Sequence, residues 1–309
     1  MKHVDYDLVI IGGGPAGLTA GLYAARAKLN AILIEKLVLG GQVIVTDWID
    51  NYPGFPDGIN GPDLIQKMTD QVKRFGLKIE NSEVNSIDLS QPIKNITLND
   101  RSITTHTIII ATGASPKKLG VPGEDIFSGK GVSYCATCDA PFFQDRPVAA
   151  VGGGDTAVQE SLFLTRFVKK VYLIHRRDQL RATAIMQKRA MEDDKIELIW
   201  NSELTGIHGL SHVESITLQH VKTGDKQQLH VDGCFIWVGI IPNTQFLSNA
   251  VELDKTGFIM ADLNMETSVP GVFAAGDVRN TPIRQIVTAV GDAAVAAFSA
   301  EHYIANVKK

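Results

Sequence analysis

Asp7-Leu-Val-Ile-Ile-Gly-Gly-Gly-Pro-Ala-Gly17 decides the fold of this chain, and Pro147-Val-Ala-Ala-Val-Gly-Gly-Gly-Asp-Thr-Ala157 repeats its pattern 140 positions later. In each copy an apolar run feeds a glycine turn and a helical stretch follows, Ala-rich in the first copy, which is the opening of a β-α-β unit. Gly12 and Gly152 stand at the tight turn, and Gly14 and Gly154 let the backbone approach a pyrophosphate. Gly17 and Ala157 let helix pack on strand. The helix starts, with Pro15 and Ala16 in one copy and Asp155 and Thr156 in the other, offer backbone amides to an anion. A lone glycine turn also arises for packing alone; two copies, each between an apolar strand and a helical stretch, indicate two dinucleotide sites.

The residues that follow the two turns differ in charge. Glu35 comes 23 residues after Gly12, and His175 comes 23 residues after Gly152, with Arg176 and Arg177 next to it. A carboxylate at the tip of the second strand accepts hydrogen bonds from a ribose diol, whereas arginines there complement a ribose that carries a phosphate. The first site suits FAD or NAD, and the second suits NADPH.

At 309 residues the chain exceeds one comfortable core and implies two domains. Its 44% hydrophobic and 21% charged residues are those of a soluble globular protein, and a net charge of −4 advertises no nucleic-acid surface. The uncharged run from Leu8 to Ala25 has the length of a membrane span. Its glycines and Pro15 punctuate it as turn and helix start, however, and Asp5 and Asp7 precede it in place of a basic leader. No membrane or targeting segment is therefore expected. Three cysteines are too few for a disulfide-stabilised secreted fold, so the expected compartment is the cytoplasm. Cys234 falls in an apolar run ending at Gly239 and reads as a buried strand residue. Asn95-Ile-Thr97 is a chance match to a glycosylation acceptor.

Two Pro/Gly-rich stretches, Ser115-Pro-Lys-Lys-Leu-Gly-Val-Pro-Gly123 and Gly239-Ile-Ile-Pro-Asn-Thr244, read as linkers around the second glycine turn. The expected organisation is a dinucleotide domain over 1–114 and 245–309 with a second one, 115–244, inserted into it. This is an α/β fold of two Rossmann-like three-layer domains, the first discontinuous. Within it the patterns predict a loop over 48–56, helices over 62–75 and 181–192, and a strand run over 228–237. A long Ala-rich stretch over 285–304 closes the chain.

Cys135-Ala-Thr-Cys138-Asp139 lies shortly before the second turn. Zinc would need two further ligands at sensible spacing, and haem attachment would need a His where Asp139 stands. Two cysteines three positions apart suit reversible disulfide chemistry, in which one thiolate attacks a partner and the other resolves the mixed disulfide. Asp139 is either an exposed loop charge or the group that supplies the proton such exchange requires.

In this order Gly12-Gly-Gly-Pro-Ala-Gly17, Gly40-Gly-Gln42, Ala111-Thr-Gly113, Cys135-Ala-Thr-Cys-Asp139, Gly152-Gly-Gly-Asp-Thr-Ala157, His175-Arg-Arg-Asp-Gln-Leu-Arg181 and Gly276-Asp277 make the chain resemble the low-molecular-weight bacterial thioredoxin reductases over essentially its whole length. The resemblance implies that FAD contacts Gly12, Gly14, Pro15, Ala16, Glu35, Gly41, Gln42, Asn51, Thr112, Gly276, Asp277, Arg284 and Gln285. It implies that Gly152, Gly154, Asp155, Thr156, His175, Arg176, Arg177 and Arg181 serve NADPH, the arginines holding its 2′-phosphate. Cys138 would lie nearest the flavin, Cys135 would attack the thioredoxin disulfide, and Asp139 would protonate the departing thiolate. Hydride would pass from NADPH to FAD, then two electrons to the cysteine pair, then to thioredoxin. A homodimer is implied as well, and the inserted domain would swing as a rigid body on its two linkers. Two positions bear on the fit: Asp155 stands where Asn or Asp is usual, and Ala140 stands where Gly commonly follows the Asp.

The resemblance leaves neighbours to separate. A related flavin reductase serving ferredoxin or another carrier tends to lack either the cysteines or the arginines. The flavoprotein subunit of alkyl hydroperoxide reductase carries a long N-terminal extension ahead of its first glycine turn. A redox sensor that merely holds nucleotides would not need two such turns and a thiol pair.

Overall fold

The computed structural model describes residues 4–308 apart from 47, 50 and 249. One residue of the loop expected over 48–56, residue 50, therefore lies outside the described residues. The chain divides into two compact units, Met1–Ser115 with Ile241–Lys309, and Pro116–Ile240.

In chain order the first unit opens with β1 (Tyr6–Ile11), α1 (Pro15–Arg26), β2 (Ala31–Glu35), α2 (Gly61–Arg74), β3 (Lys78–Asn81), β4 (Val84–Asp88), β5 (Lys94–Leu98), β6 (Ser102–Ile110) and β7 (Ala114–Pro116). The second unit carries β8 (Val132–Ser133), α3 (Ala136–Asp139), β9 (Pro147–Gly152), α4 (Asp155–Leu164), β10 (Lys170–Ile174), α5 (Ala184–Glu192) and β11 (Ile196–Ile199). It continues with β12 (Ser202–Gly209), β13 (Val213–His220), β14 (Lys226–His230) and β15 (Gly233–Trp237). After β16 (Ile240–Pro242), β17 (Val272–Ala274) and α6 (Ile286–Val307) complete the first unit.

Among the described residues of the first unit the sheet order is β3-β2-β1-β6-β5-β4, with β17 also on β6. Strands β2, β1, β6 and β17 run parallel, and β5 and β4 form an antiparallel edge. Alternation along β1 explains why the run Leu8–Ile11 is apolar throughout. Leu8 and Ile10 join one core with residues of α1, α2 and α6, while Val9 and Ile11 join a second core with Leu247, Val251, Ile259 and Val278. A strand buried on both faces has no position for a polar side chain. Each such side chain contributes roughly 1.5–3 kcal/mol by leaving water.

The second unit repeats the principle. Its parallel sheet runs β11-β10-β9-β15-β8 among the described residues. Val148 and Ala150 pack toward α4 and α5, and Ala149 and Val151 pack toward the antiparallel sheet β12-β13-β14.

Three expectations shift. The helix expected at 62–75 starts at Gly61 because the Asn60 side chain accepts the Asp63 N–H at 2.7 Å, closing its first turn. The helix expected from Arg181 starts at Ala184. The Arg181 N–H goes to the Gly153 carbonyl at 2.6 Å and the Thr183 N–H to Asp155 Oδ1 at 2.8 Å, so this stretch is bound to the second glycine turn. The run 228–237 is two strands in two sheets. The Asp232 N–H leaves the antiparallel sheet for the Pro147 carbonyl, and Gly233 then passes beneath the Phe143 ring, where a Cβ would clash.

Candidate functional site

Gly12, with φ 106°, turns the chain out of β1, and a Cβ there would overlap the Ala111 carbonyl at the end of β6. A Cβ on Gly17 would overlap the Gly12 carbonyl, so the start of α1 rests directly on the turn. Gly14 is different. It is extended (φ −74°, ψ −175°), and a Cβ there would find only Gly41 Cα at 3.9 Å and the Gly40 carbonyl at 4.0 Å. Neither conformation nor packing requires glycine at that position, so the space it leaves is a cradle into which a phosphate fits. Pro15 and Ala16 lead α1, and no side chain caps its first amides.

The other residues named for this site gather in the same unit. Glu35 accepts the Gly13 N–H at 2.7 Å through Oε2 and the Leu37 N–H at 3.0 Å through Oε1, which fixes the carboxylate beside the glycine turn. The Gly40 N–H bonds the Gly13 carbonyl at 2.8 Å, drawing Gly41 over the turn while Gln42 stays exposed. Asn51 Nδ2 donates to Gln285 Oε1 at 2.9 Å across 234 positions of sequence. Thr112 and Asn243 exchange hydrogen bonds, each at 2.8 Å. A Cβ on Gly276, whose φ is 75°, would lie 3.1 Å from Ala16 Cβ, so the Gly276-Asp277 turn abuts the head of α1. Burial pushes the Asp277 carboxyl up to about 6; Arg284 opposes the rise and Asp292 adds to it. Arg284 lies over the Phe258 ring, 4.2 Å from its centroid, and its buried Nε has no partner among the described residues. A buried guanidinium donor, a carboxylate at its edge and an open glycine cradle fit a large anionic dinucleotide.

The second unit offers a matching loop. Gly154 is extended (φ −90°, ψ 178°), and a Cβ there would meet no protein atom within 4 Å. Gly152 closes against Ala157 and the Trp237 carbonyl. Asp155 and Thr156 begin α4, and Asp155 spends one oxygen on Thr183. Arg176, Arg177 and Arg181 are exposed. His175, grouped with them from the sequence, turns the other way: it is 5% exposed, its ring fills the space beneath Gly153, and Trp200 packs edge-on to it. Burial pushes its imidazole down, the Gly152 backbone opposes this, and Arg181 and Arg177 reinforce it. Its role visible here is to support the loop.

Cys135 and Cys138 form a disulfide with Cα atoms 5.4 Å apart, spanning the single turn of α3. The Cys135 N–H donates to Ser133 Oγ at 3.1 Å, and the Thr137 hydroxyl lies 3.3 Å from Cys135 Sγ, which in the disulfide can only accept. Asp139 ends α3, with its N–H on the Cys135 carbonyl at 3.2 Å. Ala140 is right-handed helical (φ −52°, ψ −40°) and fully buried, a conformation in which a methyl group replaces glycine without strain. Cys234, on β15, is a buried thiol pushed up to about 12 by burial, which makes it a poor nucleophile.

Sequence reasoning missed Asp292, whose Oδ2 accepts the Gly276 N–H at 3.2 Å and pairs with Arg279 at 3.2 Å. Its signal was present as a lone charge inside the apolar stretch from Ile286 to Ala300. It also missed Asn243, which fastens Thr112, and Glu160, whose Oε2 accepts the Ala136 N–H at 3.2 Å.

A family model for pyridine nucleotide-disulphide oxidoreductases matches residues 6–293. A thioredoxin reductase of Listeria innocua is 46% identical over 306 residues, covering 98% of this chain and 95% of that protein. One of Peptoclostridium acidaminophilum is 44% identical over 310 residues, covering 98% of each. The crystal structure of thioredoxin reductase from Streptococcus pyogenes superposes with a TM-score of 0.93 at 46% identity, over 97% of this chain and 98% of that one. With two glycine loops, a disulfide across one helical turn and relatives this similar over nearly the full length, the chain belongs to the pyridine nucleotide-disulphide oxidoreductases and, within them, to the thioredoxin reductases.

Proposed function

We propose that this chain reduces the disulfide of thioredoxin with electrons from NADPH, using FAD as its resident cofactor and Cys135 and Cys138 as its redox pair. The observation that carries the reading is the Cys135–Cys138 disulfide, held in the same compact unit as a glycine loop flanked by three exposed arginines. FAD, when bound, supplies a two-electron relay between a nicotinamide and that disulfide. Gly12, Gly14, Pro15 and Ala16 present backbone to its pyrophosphate and Glu35 accepts from its ribose. Gly41, Gln42, Asn51, Thr112, Gly276, Asp277, Arg284 and Gln285 complete its contacts. In the second unit Gly152, Gly154, Asp155 and Thr156 receive the NADPH pyrophosphate, Arg176, Arg177 and Arg181 take its 2′-phosphate, and His175 holds the loop in shape.

Exchange then follows from the thiols. The Cys135 thiolate attacks one sulfur of the substrate disulfide, breaking that bond and forming a mixed disulfide. Asp139 supplies the proton to the departing thiolate. Cys138 then gives its proton to the Asp139 carboxylate and its thiolate attacks Cys135 Sγ, breaking the mixed disulfide and re-forming the internal one; that proton passes to the second departing thiolate, releasing the dithiol product. A homodimer in the cytoplasm is part of this reading; no helix of the described residues is long and apolar enough to cross a membrane.

Cys135→Ser tests it. The variant should retain FAD and accept hydride from NADPH on rapid mixing while losing thioredoxin reduction. A flavin that fails to reduce in this variant means that the cysteines serve folding or nucleotide binding instead.

A further inference from the structure

Glu160 is an acidic side chain that the exchange chemistry above does not use, and it touches the segment carrying the redox pair. It projects from α4, whose first turn forms the second glycine loop, and its Oε2 accepts the backbone N–H of Ala136 at 3.2 Å. Ala136 is fully buried and follows Cys135 directly, so this bond cannot be exchanged freely with water. Burial pushes the Glu160 carboxyl up, while the amides of Ala136 and Thr137 pull it down. The ionisable groups on and beside α3 are Cys135, Cys138 and Asp139. Of the elements packed on α4, α5 carries Lys188, Arg189 and Glu192, all exposed, whereas Lys170 and Tyr172 of β10 and Cys234 of β15 point to the opposite face of the sheet, where Tyr172 and Cys234 join the core with β12 and β13.

A thiolate gains from amides that point at it, and this is how the first thiol of a Cys-x-x-Cys pair becomes acidic and its disulfide strongly oxidising. An enzyme that must pass electrons outward needs the opposite bias. We propose that Glu160 keeps the Ala136 amide from the Cys135 thiolate, and that this holds the reduced pair as a weakly acidic, strongly reducing dithiol. The inference rests on Cys135 and Cys138 cycling as described under the proposed function.

Glu160→Met, which fills similar space without an oxygen acceptor, is the main test, with Glu160→Ala as the smaller alternative and Glu160→Gln keeping an acceptor without the charge. The FAD-loaded protein is reduced anaerobically with tris(2-carboxyethyl)phosphine. The phosphine gives two electrons to the Sγ–Sγ bond and becomes its oxide with oxygen from water, and that water's two protons complete the thiols. After removal of the phosphine, iodoacetamide alkylation of Cys135 is followed across pH by peptide mass spectrometry. Release of one amide to the thiolate should raise the thiolate fraction at pH 7 by about tenfold, and the lower nucleophilicity of a more acidic thiol offsets about threefold of that. Glu160→Met should therefore alkylate roughly threefold faster at pH 7, with its profile moved toward acid, and Glu160→Gln should stay near the parent. Parent-like profiles in both Glu160→Met and Glu160→Ala overturn the proposal. A Glu160→Gln profile equal to that of Glu160→Met also overturns it, by assigning the effect to charge alone. If Glu160→Met does not retain FAD, Glu160→Ala decides. A parent disulfide that the phosphine reduces but NADPH does not would count against the proposed function, leaving the Glu160 comparison readable.

Discussion

Gly154→Ala should weaken NADPH binding and leave the fold and the flavin untouched. Gly154 sits at φ −90°, ψ 178°, extended backbone that any residue adopts, and a Cβ there has no protein atom within 4 Å. Two small effects act on stability. Ala at the N-cap of α4 is poorer than Gly by several tenths of a kcal/mol, and the stiffer unfolded chain returns about 0.4–1 kcal/mol. The balance lies within about 0.5 kcal/mol, a shift in Tm of no more than ~2–3 °C. The new methyl, however, stands beside the leading amides of α4, which under the proposed function receive a pyrophosphate. Displacing one charge-assisted hydrogen bond costs roughly 1.5–3 kcal/mol, or about ten- to 150-fold in Kd. Calorimetric titration of the FAD-loaded variant with NADP⁺, beside its Tm and flavin absorbance, measures all three quantities. Gly14→Ala should behave likewise toward FAD, since its Cβ would meet nothing closer than Gly41 Cα at 3.9 Å. Gly17→Ala is the contrasting control: its Cβ would overlap the Gly12 carbonyl, so the fold itself should suffer. Parent-like NADP⁺ affinity in Gly154→Ala would falsify the argument that this glycine is kept for a ligand.

Arg177→Ala should lower kcat/KM for NADPH by at least ~10-fold and leave NADH unchanged, because an exposed guanidinium beside a 2′-phosphate contributes ~1.5–3 kcal/mol; equal losses with both donors would assign Arg177 to something other than that phosphate. Asp277→Asn should stabilise the flavin-free protein at pH 7–8 while weakening FAD retention. Burial raises the Asp277 carboxyl from 3.8 to about 6, so its ionised form penalises the folded state above pH ~6, and the penalty fades as pH falls toward ~4. The gain in flavin-free stability at pH 8 is on the order of 2–3 kcal/mol, and thermal melts that respond to pH identically in parent and variant would contradict it.

What could be read in advance was what is local. Strand, glycine turn and helix are written within some 20 residues in both copies, because apolar runs, turn glycines and helix formers act on their own neighbourhood. What could not be read depends on residues far apart. Nothing near Arg181 says that its amide will be claimed by the Gly153 carbonyl, which delays α5 to Ala184. Nothing near Asp232 says that its amide will join Pro147 and split an apparently continuous strand between two sheets. Asn51 and Gln285 were each named from the resemblance, but their mutual hydrogen bond spans 234 positions. Asp292 showed only as an unexplained charge in an apolar helix, and its partner Gly276 explains it once the helix is folded back.

The two loops use the residue 23 positions after the first glycine in the same structural way and differ in what stands beyond it. The sequence sets Glu35 against His175 at the same offset, with Arg176 and Arg177 directly after His175. In the folded units both side chains do a common job beneath the middle glycine: a Cβ on Gly13 would lie 3.0 Å from Glu35 Cβ, and one on Gly153 would collide with the His175 ring. Glu35 also presents oxygens at the turn, fixed by the Gly13 and Leu37 amides, so under the proposed function support and recognition coincide in the first unit. His175 is buried and its Nε2 has no partner among the described residues, so in the second unit it serves support alone, and under the proposed function recognition falls to the exposed Arg176 and Arg177. Under the proposed function, the charge that would select a phosphorylated ribose therefore stands two and three residues beyond the end of β10, on a stretch tied to the glycine turn through Arg181 and Thr183. Arginines there can keep their register with a pyrophosphate because the backbone around them is hydrogen-bonded to the loop that would bind it.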